Sequence, residues 1–373
     1  MDKEKVYQLA LSFVPGIGSI LSKQLVSYCG SAEAVFNSSK SKLNKIPRIG
    51  NVAAQAIHKS KLISEAEKEI EKAAKNGIDI LFYTDKKYPQ NLKKIYDAPS
   101  ILYVQGGVDL NNRKIVGIVG TRKATDYGKE VVDKIIEKLS IHNPLIVSGL
   151  AYGIDIHAHR SSLKKGLPTV GIMGNGIDKI YPKLHQKTVA EMIKTNGGIM
   201  TEYRLGTDAN PKNFPARNRI IAGLSDALIV VEAAAKGGAL ITANIADTYN
   251  KDIFAIPGNL NSKYSEGCNK LISRHRANIY TDIKNFEEIM GWEGEDISKT
   301  MSKKNFTINK ENCNEEEVKI LEIMESASRE ILIDELCWLS HTPVNKIGAL
   351  LLTLEFKGLV KSLPGKKFKL NIV

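Results

Sequence analysis

The central part of the chain, residues 113–281, alternates short apolar runs with longer stretches of helical periodicity. Several apolar runs end in Gly or Ser just where a helical pattern begins, as the strands of a parallel sheet do. The seven strand candidates are KIVGIVG, PLIVSG, PTVGIMG, GGIMTEY, ALIVVEAA, DIFAIPG and ANIYTD. The pattern predicts an α/β domain built on a doubly wound, Rossmann-like parallel sheet.

Two similar pieces of sequence lie nearer the amino terminus, at residues 14–26 and 46–57. Each has an apolar residue, a Pro and a Gly-containing turn ahead of a helical pattern, which is typical of paired helix-hairpin-helix (SAM-like) units. The hairpins of such units place backbone N–H groups at a helix N-terminus, where a phosphate is favoured. Arg48 replaces the first hairpin glycine in the second copy and weakens the phosphate interpretation there. A small helical bundle without phosphate contacts is an equal alternative.

The C-terminal residues 315–373 predict three helices followed by a β-hairpin, which is the pattern of a winged helix. A DNA-reading winged helix carries basic and amide residues along its third helix, but this one offers only Asn345 and Lys346 at one end. Residues 316–373 also carry no net charge. A protein contact or a dimer-stabilising role is therefore favoured for this domain. The alternative is weak DNA binding by the lysines of the wing, Lys366, Lys367 and Lys369.

A length of 373 residues indicates two or three domains. The patterns predict a helical domain at 1–76, an extended Rossmann-like core at 77–292, a polar linker at 293–314 and the winged helix at 315–373. No apolar run approaches the roughly 20 residues that span a bilayer, and no signal peptide is recognisable. The four isolated cysteines have neither disulfide nor metal-ligand spacing, so we expect a cytoplasmic protein without a bound metal or cofactor.

The net charge of +12 favours an acidic partner, and the excess of Lys and Arg lies in the first two predicted domains. Ligands of doubly wound sheets bind beyond the carboxyl ends of the strands. Three glycine-bearing turns follow predicted strands there. Each allows a ligand to approach the backbone closely or an anion to bind at the N-terminus of the next helix. They contain Gly120, Thr121, Arg122 and Lys123, then Ser148 and Gly149, then Gly237 and Gly238.

The stretch NFPARNRIIAGLSD, residues 213–226, sets basic residues at the start of a predicted helix near the same rim. Cations at a helix N-terminus oppose the helix dipole, whereas a bound phosphate is favoured by both. Phe214 could stack on a base. The alternative is that the arginines form internal salt bridges and that Phe214 belongs to the core. The residues expected to bind phosphates are Lys212, Arg217 and Arg219.

Seven motifs, in order across residues 115–258, resemble those of the DNA-processing protein A family, DprA or Smf. They are IVGTRKATDYG, IVSGLAYGIDIHAH, GNGIDKIYP, TEYRLGT, FPARNRIIAGLSD, GGALITANIA and IPGN. The resemblance extends to both flanking domains. It implies a Rossmann-like core that binds single-stranded DNA during natural transformation, forms a homodimer and helps to load RecA onto the strand.

The resemblance also assigns roles to particular residues. The arginine of the GTR motif is Arg122, and Lys183 and Lys212 are expected to be flanking phosphate contacts. Ala216, where relatives often have a basic residue, removes one contact. The residues carried over from the FP-x-RNR motif are Phe214, Pro215, Arg217, Asn218 and Arg219.

The rival interpretation is an enzyme, a nucleotide phosphoribohydrolase with a similar sheet and a late Gly-Gly turn. Those enzymes carry a catalytic glutamate in this turn, but here Asn244 and Ala246 occupy the corresponding stretch. Asp155 and Glu202 have no evident nucleophile, metal set or His partner. The sequence therefore favours a binding protein without catalytic residues.

Overall fold

The computed structural model describes residues 2–58, 61–112, 114–292, 313–327 and 330–371. It divides into two compact units: Met1–Ile70 with Ile297–Val373, and Glu71–Asp296. The first unit thus combines segments from both ends of the chain. Most of the predicted linker lies outside the described residues, and the division into four segments stays a prediction.

The amino-terminal part is helical. Its helices are α1 (Lys3–Ser12), α2 (Ser19–Cys29), α3 (Ala32–Asn37), α4 (Lys40–Leu43), α5 (Asn51–Ile57) and α6 (Lys61–Lys75). The two similar sequence pieces form matching turns, because Gly16 and Arg48 both have a positive φ, of 81° and 66°. Arg48 therefore adopts the left-handed conformation that its glycine counterpart adopts without strain.

The second unit is built on a sheet, and nine strands of the described chain form it. They are β1 (Asp79–Phe82), β2 (Ile101–Gln105), β3 (Ile115–Val119), β4 (Leu145–Gly149), β5 (Thr169–Ile172), β6 (Gly198–Thr201), β7 (Ala227–Val230), β8 (Asp252–Ala255) and β9 (Asn278–Ile279). Their order is β1-β2-β6-β5-β4-β3-β7-β8-β9. The strands from β3 to β9 are parallel, whereas β1 and β2 pair antiparallel at one edge.

The seven predicted parallel strands and the doubly wound α/β fold are confirmed. Residues of β3, β4 and β7 are buried on both faces, which is why they read as continuous apolar runs. The helices that connect and follow these strands are α7 (Gln90–Lys93), α8 (Asp126–Leu139), α9 (Ile154–Lys164), α10 (Gln186–Lys194), α11 (Asn213–Leu224), α12 (Gly238–Thr248), α13 (Glu266–Ser273) and α14 (Ile283–Met290). Since β3 lies between β4 and β7, the strand order reverses there, and a crevice is expected at that point.

The C-terminal part is a winged helix, as predicted. It consists of α15 (Glu315–Ala327), β10 (Ile331–Leu332), α16 (Ile333–Ser340), α17 (Val344–Phe356), β11 (Val360–Leu363) and β12 (Lys367–Leu370). The three strands pair in the order β10-β12-β11. Among the described residues, no helix is both long and apolar enough to cross a membrane.

Candidate nucleic-acid interface

Two adjoining cavities open at the carboxyl ends of the parallel strands, where the strand order reverses. The larger, of about 470 Å³, lies between the turn after β3, the first turns of α11 and the turn before α12; we call it the rim cavity. The smaller, of about 220 Å³, is the aromatic cavity, which Tyr152, Tyr181 and Phe214 line. Five residues line both: Arg122, Ala151, Pro211, Phe214 and Arg217. The two cavities can therefore hold neighbouring parts of one ligand.

A buried carboxylate fixes the turn that carries Arg122. Oε2 of Glu232 accepts a hydrogen bond from the backbone N–H of Thr125 at 3.0 Å, and Oε1 accepts one from the Thr125 hydroxyl at 2.6 Å. Thr125 in turn caps α8. Glu232 is thus engaged in holding the loop, and the exposed side chains of Arg122 and Lys123 project from it.

The N-terminus of α12 borders the rim cavity. Gly237 is the N-cap and provides no side-chain hydrogen bond to the helix. A Cβ atom on Gly238 would meet no atom within 4 Å, so the backbone is open on that side. Lys236 directly precedes the N-cap Gly237 and also lines the rim cavity. The helix dipole and the lysine both favour an anion here.

Arg217 and Asp155 form the floor of the rim cavity. Arg217 is only 5% exposed, and its Nη1 donates to the carbonyl of Ile172 at 2.8 Å, while its Nε has no hydrogen-bond partner in the described structure. A Cβ atom on Gly149 would lie 2.1 Å from Nη1 of Arg217 and 2.3 Å from Oδ2 of Asp155. Gly149 is therefore required so that these two charged groups can face each other. Burial raises the pKa of the Asp155 carboxyl to about 6, although Arg217 opposes that shift.

The aromatic cavity contains two residues that the sequence prediction missed. Tyr181 is 51% exposed, and its ring centroid lies 5.8 Å from that of Phe214 with an angle of 30° between the planes. Tyr152 packs its ring edge-on to His185 at 5.0 Å. Both tyrosines lie in motifs already quoted, SGLAYGID and GIDKIYP, so aromatic residues directly before Gly or Pro in these motifs were the available signal.

Arg219 differs from the sequence expectation, because the structure does not bring it into either cavity. Its Nη2 donates to Oε2 of Glu202, and its Nε lies 3.8 Å from Oδ2 of Asp97. Both side chains of the Arg219–Glu202 pair are 16% exposed. This is the salt-bridge alternative that the sequence left open, realised for one arginine of the two.

The other predicted site residues are divided between the cavity wall and the surroundings. Ser148 is fully buried and donates to the carbonyl of Ile118 at 2.6 Å, so it supports β4. Lys183 and Lys212 are exposed and do not line either cavity, which is compatible with flanking contacts. The predicted residues that line the rim cavity are Gly120, Thr121, Arg122, Lys123, Phe214, Arg217, Asn218, Gly237 and Gly238.

Known proteins resemble this chain over most of its length. Residues 79–291 match the family model for the DNA recombination-mediator protein A, and residues 310–366 match the DprA winged helix domain. Protein Smf of Synechocystis sp. is 36% identical over 275 residues, which cover 73% of this chain and 69% of that protein. The DNA processing protein DprA of Streptococcus pneumoniae is 42% identical over 188 residues, covering 50% of this chain and 66% of that protein.

Two solved structures are similar in fold. The X-ray structure of DNA processing protein A from Streptococcus pneumoniae superposes with a TM-score of 0.64 at 30% identity, covering 77% of this chain and 98% of that one. A structure of DNA processing protein A from Helicobacter pylori, described in terms of its single-stranded DNA binding mode, has a TM-score of 0.52 at 30% identity. That match covers 58% of this chain and 96% of the other.

Proposed function

The chain belongs to the DNA recombination-mediator protein A family, and from this premise we propose that it binds single-stranded DNA in the two adjoining cavities. The observation that carries the proposal is their shared wall, to which Arg122, the buried Arg217 and Phe214 all belong. A cationic groove beside aromatic rings is the usual arrangement for binding a single strand without sequence preference. The rim cavity takes the phosphate, and the aromatic cavity takes a base.

The charge distribution supports the assignment of the phosphate to the rim cavity. Four side-chain cations line it, Arg122, Lys123, Arg217 and Lys236, beside the N-terminus of α12. Arg217 lines both cavities, and a guanidinium is well suited to bind phosphate oxygens. The similar Helicobacter pylori protein is described as binding single-stranded DNA, which supports the same ligand class here.

The finer parts of the proposal rest on family membership. We propose that the protein acts in natural transformation and recombination by protecting incoming strands, forms a homodimer through the Rossmann-like core and hands the strand to RecA. The cytoplasm is its proposed location, because all four cysteines are free thiols. We also propose that it does not hydrolyse nucleotides. Incubation with adenosine monophosphate tests this last point, because release of free adenine would revive the phosphoribohydrolase interpretation.

The Phe214→Ala variant tests base stacking. We expect its binding free energy for a fluorescently labelled oligo-dT to weaken by about 1–3 kcal/mol. The salt dependence should change little, since a stack carries no charge. Tyr96→Ala is the matched control, because Tyr96 is an exposed aromatic that lines neither cavity. Fluorescence anisotropy at several salt concentrations measures both. Unchanged affinity with a lowered melting temperature would make Phe214 a packing residue instead.

Asp155 predicts a pH dependence of DNA binding. The pKa of the Asp155 carboxyl is about 6. At a pH above this value the carboxylate is charged and repels a phosphate, whereas at a lower pH the group is neutral. We therefore expect affinity to rise as the pH falls from about 7.5 to about 5.5, by up to about tenfold if binding raises this pKa by about one unit. The Asp155→Asn variant should lose most of this dependence.

The groups that face Asp155 do not explain such a dependence themselves. They are Arg122, Arg217, the Ser148 hydroxyl and the backbone of Ala151. Burial lowers the pKa of His159, on the same helix, to about 4, so this ring stays neutral over the range. Asp126→Asn is the control, because Asp126 is an exposed carboxylate that pairs with Lys129. Equal pH profiles for wild type and Asp155→Asn would contradict the assignment.

A further inference from the structure

Trp338 of the winged helix is buried, although it does not belong to the winged helix's own core. It is 2% exposed. Its neighbours Leu336 and Cys337 are members of the buried apolar cluster of the C-terminal domain, whereas Trp338 is not. Four consecutive residues of α16, 335 to 338, are buried, which one face of a helix cannot explain. Something other than the winged helix covers the second face of α16.

The covering element is α2 of the amino-terminal helical part, which belongs to the same compact unit. The indole Nε1 of Trp338 donates to the carbonyl of Lys23 at 3.3 Å. The hydroxyl of Ser27 donates to Oδ1 of Asp334 at 3.1 Å. Both Lys23 and Ser27 are buried polar residues one helical turn apart, which marks this side of α2 as an interface and not as a solvent face.

The contact continues to the start of α17. A Cβ atom on Gly30 would lie 3.2 Å from the carbonyl oxygen of His341 and 3.2 Å from Cδ of Pro343. Pro343 is the N-cap of α17. DNA-reading helix-turn-helix domains direct the N-terminal residues of this third helix at the base edges of the major groove. Here the amino-terminal part of the same chain lies against that end of the helix.

The remaining surface of α17 is also unlike a DNA-reading face. Leu352 and Phe356, one turn apart, are 53% and 83% exposed, and Lys346 is paired with Glu316. We propose that the winged helix is a protein-docking module whose ligand is helix α2 of its own chain. The two ends of the chain thereby act as one body.

The test uses the full chain with a site-specific protease sequence placed between Trp292 and Cys313. After cleavage, the winged-helix piece of the wild type is expected to stay bound to the rest of the protein in gel filtration. Ser27→Glu places a carboxylate against Asp334 and should weaken retention by about tenfold or more. Tyr28→Glu is the matched control, because Tyr28 is the adjacent residue and is 45% exposed. It should behave as the wild type does.

A charge-reversal variant separates docking from folding. Ser27→Glu combined with Asp334→Lys restores an attractive pair and should restore retention, even if Ser27→Glu alone folds poorly. Trp338 emission, followed in a Trp292→Phe background, should shift to longer wavelength in Ser27→Glu and return in the double variant. Separation of the cleaved wild type at micromolar concentration overturns the proposal. So does full retention in Ser27→Glu, or a failure of the double variant to recover.

Discussion

Replacing Arg122 by alanine is expected to weaken the binding of single-stranded DNA by about 1.5–3 kcal/mol, which is roughly tenfold to 150-fold. Arg122 lines both cavities, and its turn is held by Glu232 and Thr125, so its guanidinium can meet a phosphate without reorganisation of the loop. The slope of log affinity against log salt should fall by about one, because one phosphate contact is lost. Fluorescence anisotropy titrations with oligo-dT measure both quantities.

Arg274→Ala is the control for this prediction. Arg274 is an exposed arginine at the end of α13 that lines neither cavity, and its loss changes the net charge equally. We expect it to leave affinity nearly unchanged. If Arg122→Ala and Arg274→Ala had equal, small effects, the basic surface as a whole would bind the strand and the cavities would not.

Replacing Gly153 by alanine is expected to destabilise the core by about 4 kcal/mol or more. Gly153 has a φ of 78° and a ψ of −125°, a conformation that residues with a Cβ rarely adopt. A Cβ atom there would also lie 2.2 Å from the carbonyl oxygen of Thr121 and 2.6 Å from the carbonyl carbon of Arg122. Since backbone atoms occupy the space, the turn that carries Arg122 must move. Urea unfolding measures the loss.

Gly166→Ala provides the comparison for Gly153→Ala. Gly166 also has a positive φ, of 71°, but a Cβ atom there would meet nothing within 4 Å. It should therefore cost only about 1 kcal/mol, the conformational part of the effect. Equal losses of stability in the two variants would show that close packing against the turn after β3 is not what requires Gly153.

The strands of the parallel sheet could be predicted from the sequence because the pattern that identifies each strand lies within that strand and the turn after it. Each strand from β3 to β8 is a run of four or five residues, most of them buried, and a glycine directly follows β3 and ends β4. The antiparallel edge is different. Pairing of β2 with β6 joins Tyr103 to Thr201, and no local pattern specifies a partner so distant in the chain. The contact of α2 with α16 escaped prediction for the same reason.

The DNA-binding roles of the site residues stay predictions, but the structure places some of these residues differently from the expectation, for a geometric reason. Arg217 and Arg219 were expected to act together, but residues two apart on a helix point about 200° away from each other. Arg217 therefore faces the rim cavity while Arg219 faces Glu202. Tyr152 and Tyr181 line one cavity with Phe214 only because turns after different strands converge at one edge of the sheet. That convergence depends on the order of the strands in the sheet, which the sequence analysis did not predict.

The most direct measurement is a titration of the purified protein with fluorescent single-stranded and double-stranded oligonucleotides of the same sequence at several salt concentrations. We expect tighter binding of the single strand, with an affinity that falls steeply as salt rises, because cations and an aromatic cavity act on one exposed strand. Equal affinity for duplex and single strand, or an affinity that does not change with salt, would contradict this expectation.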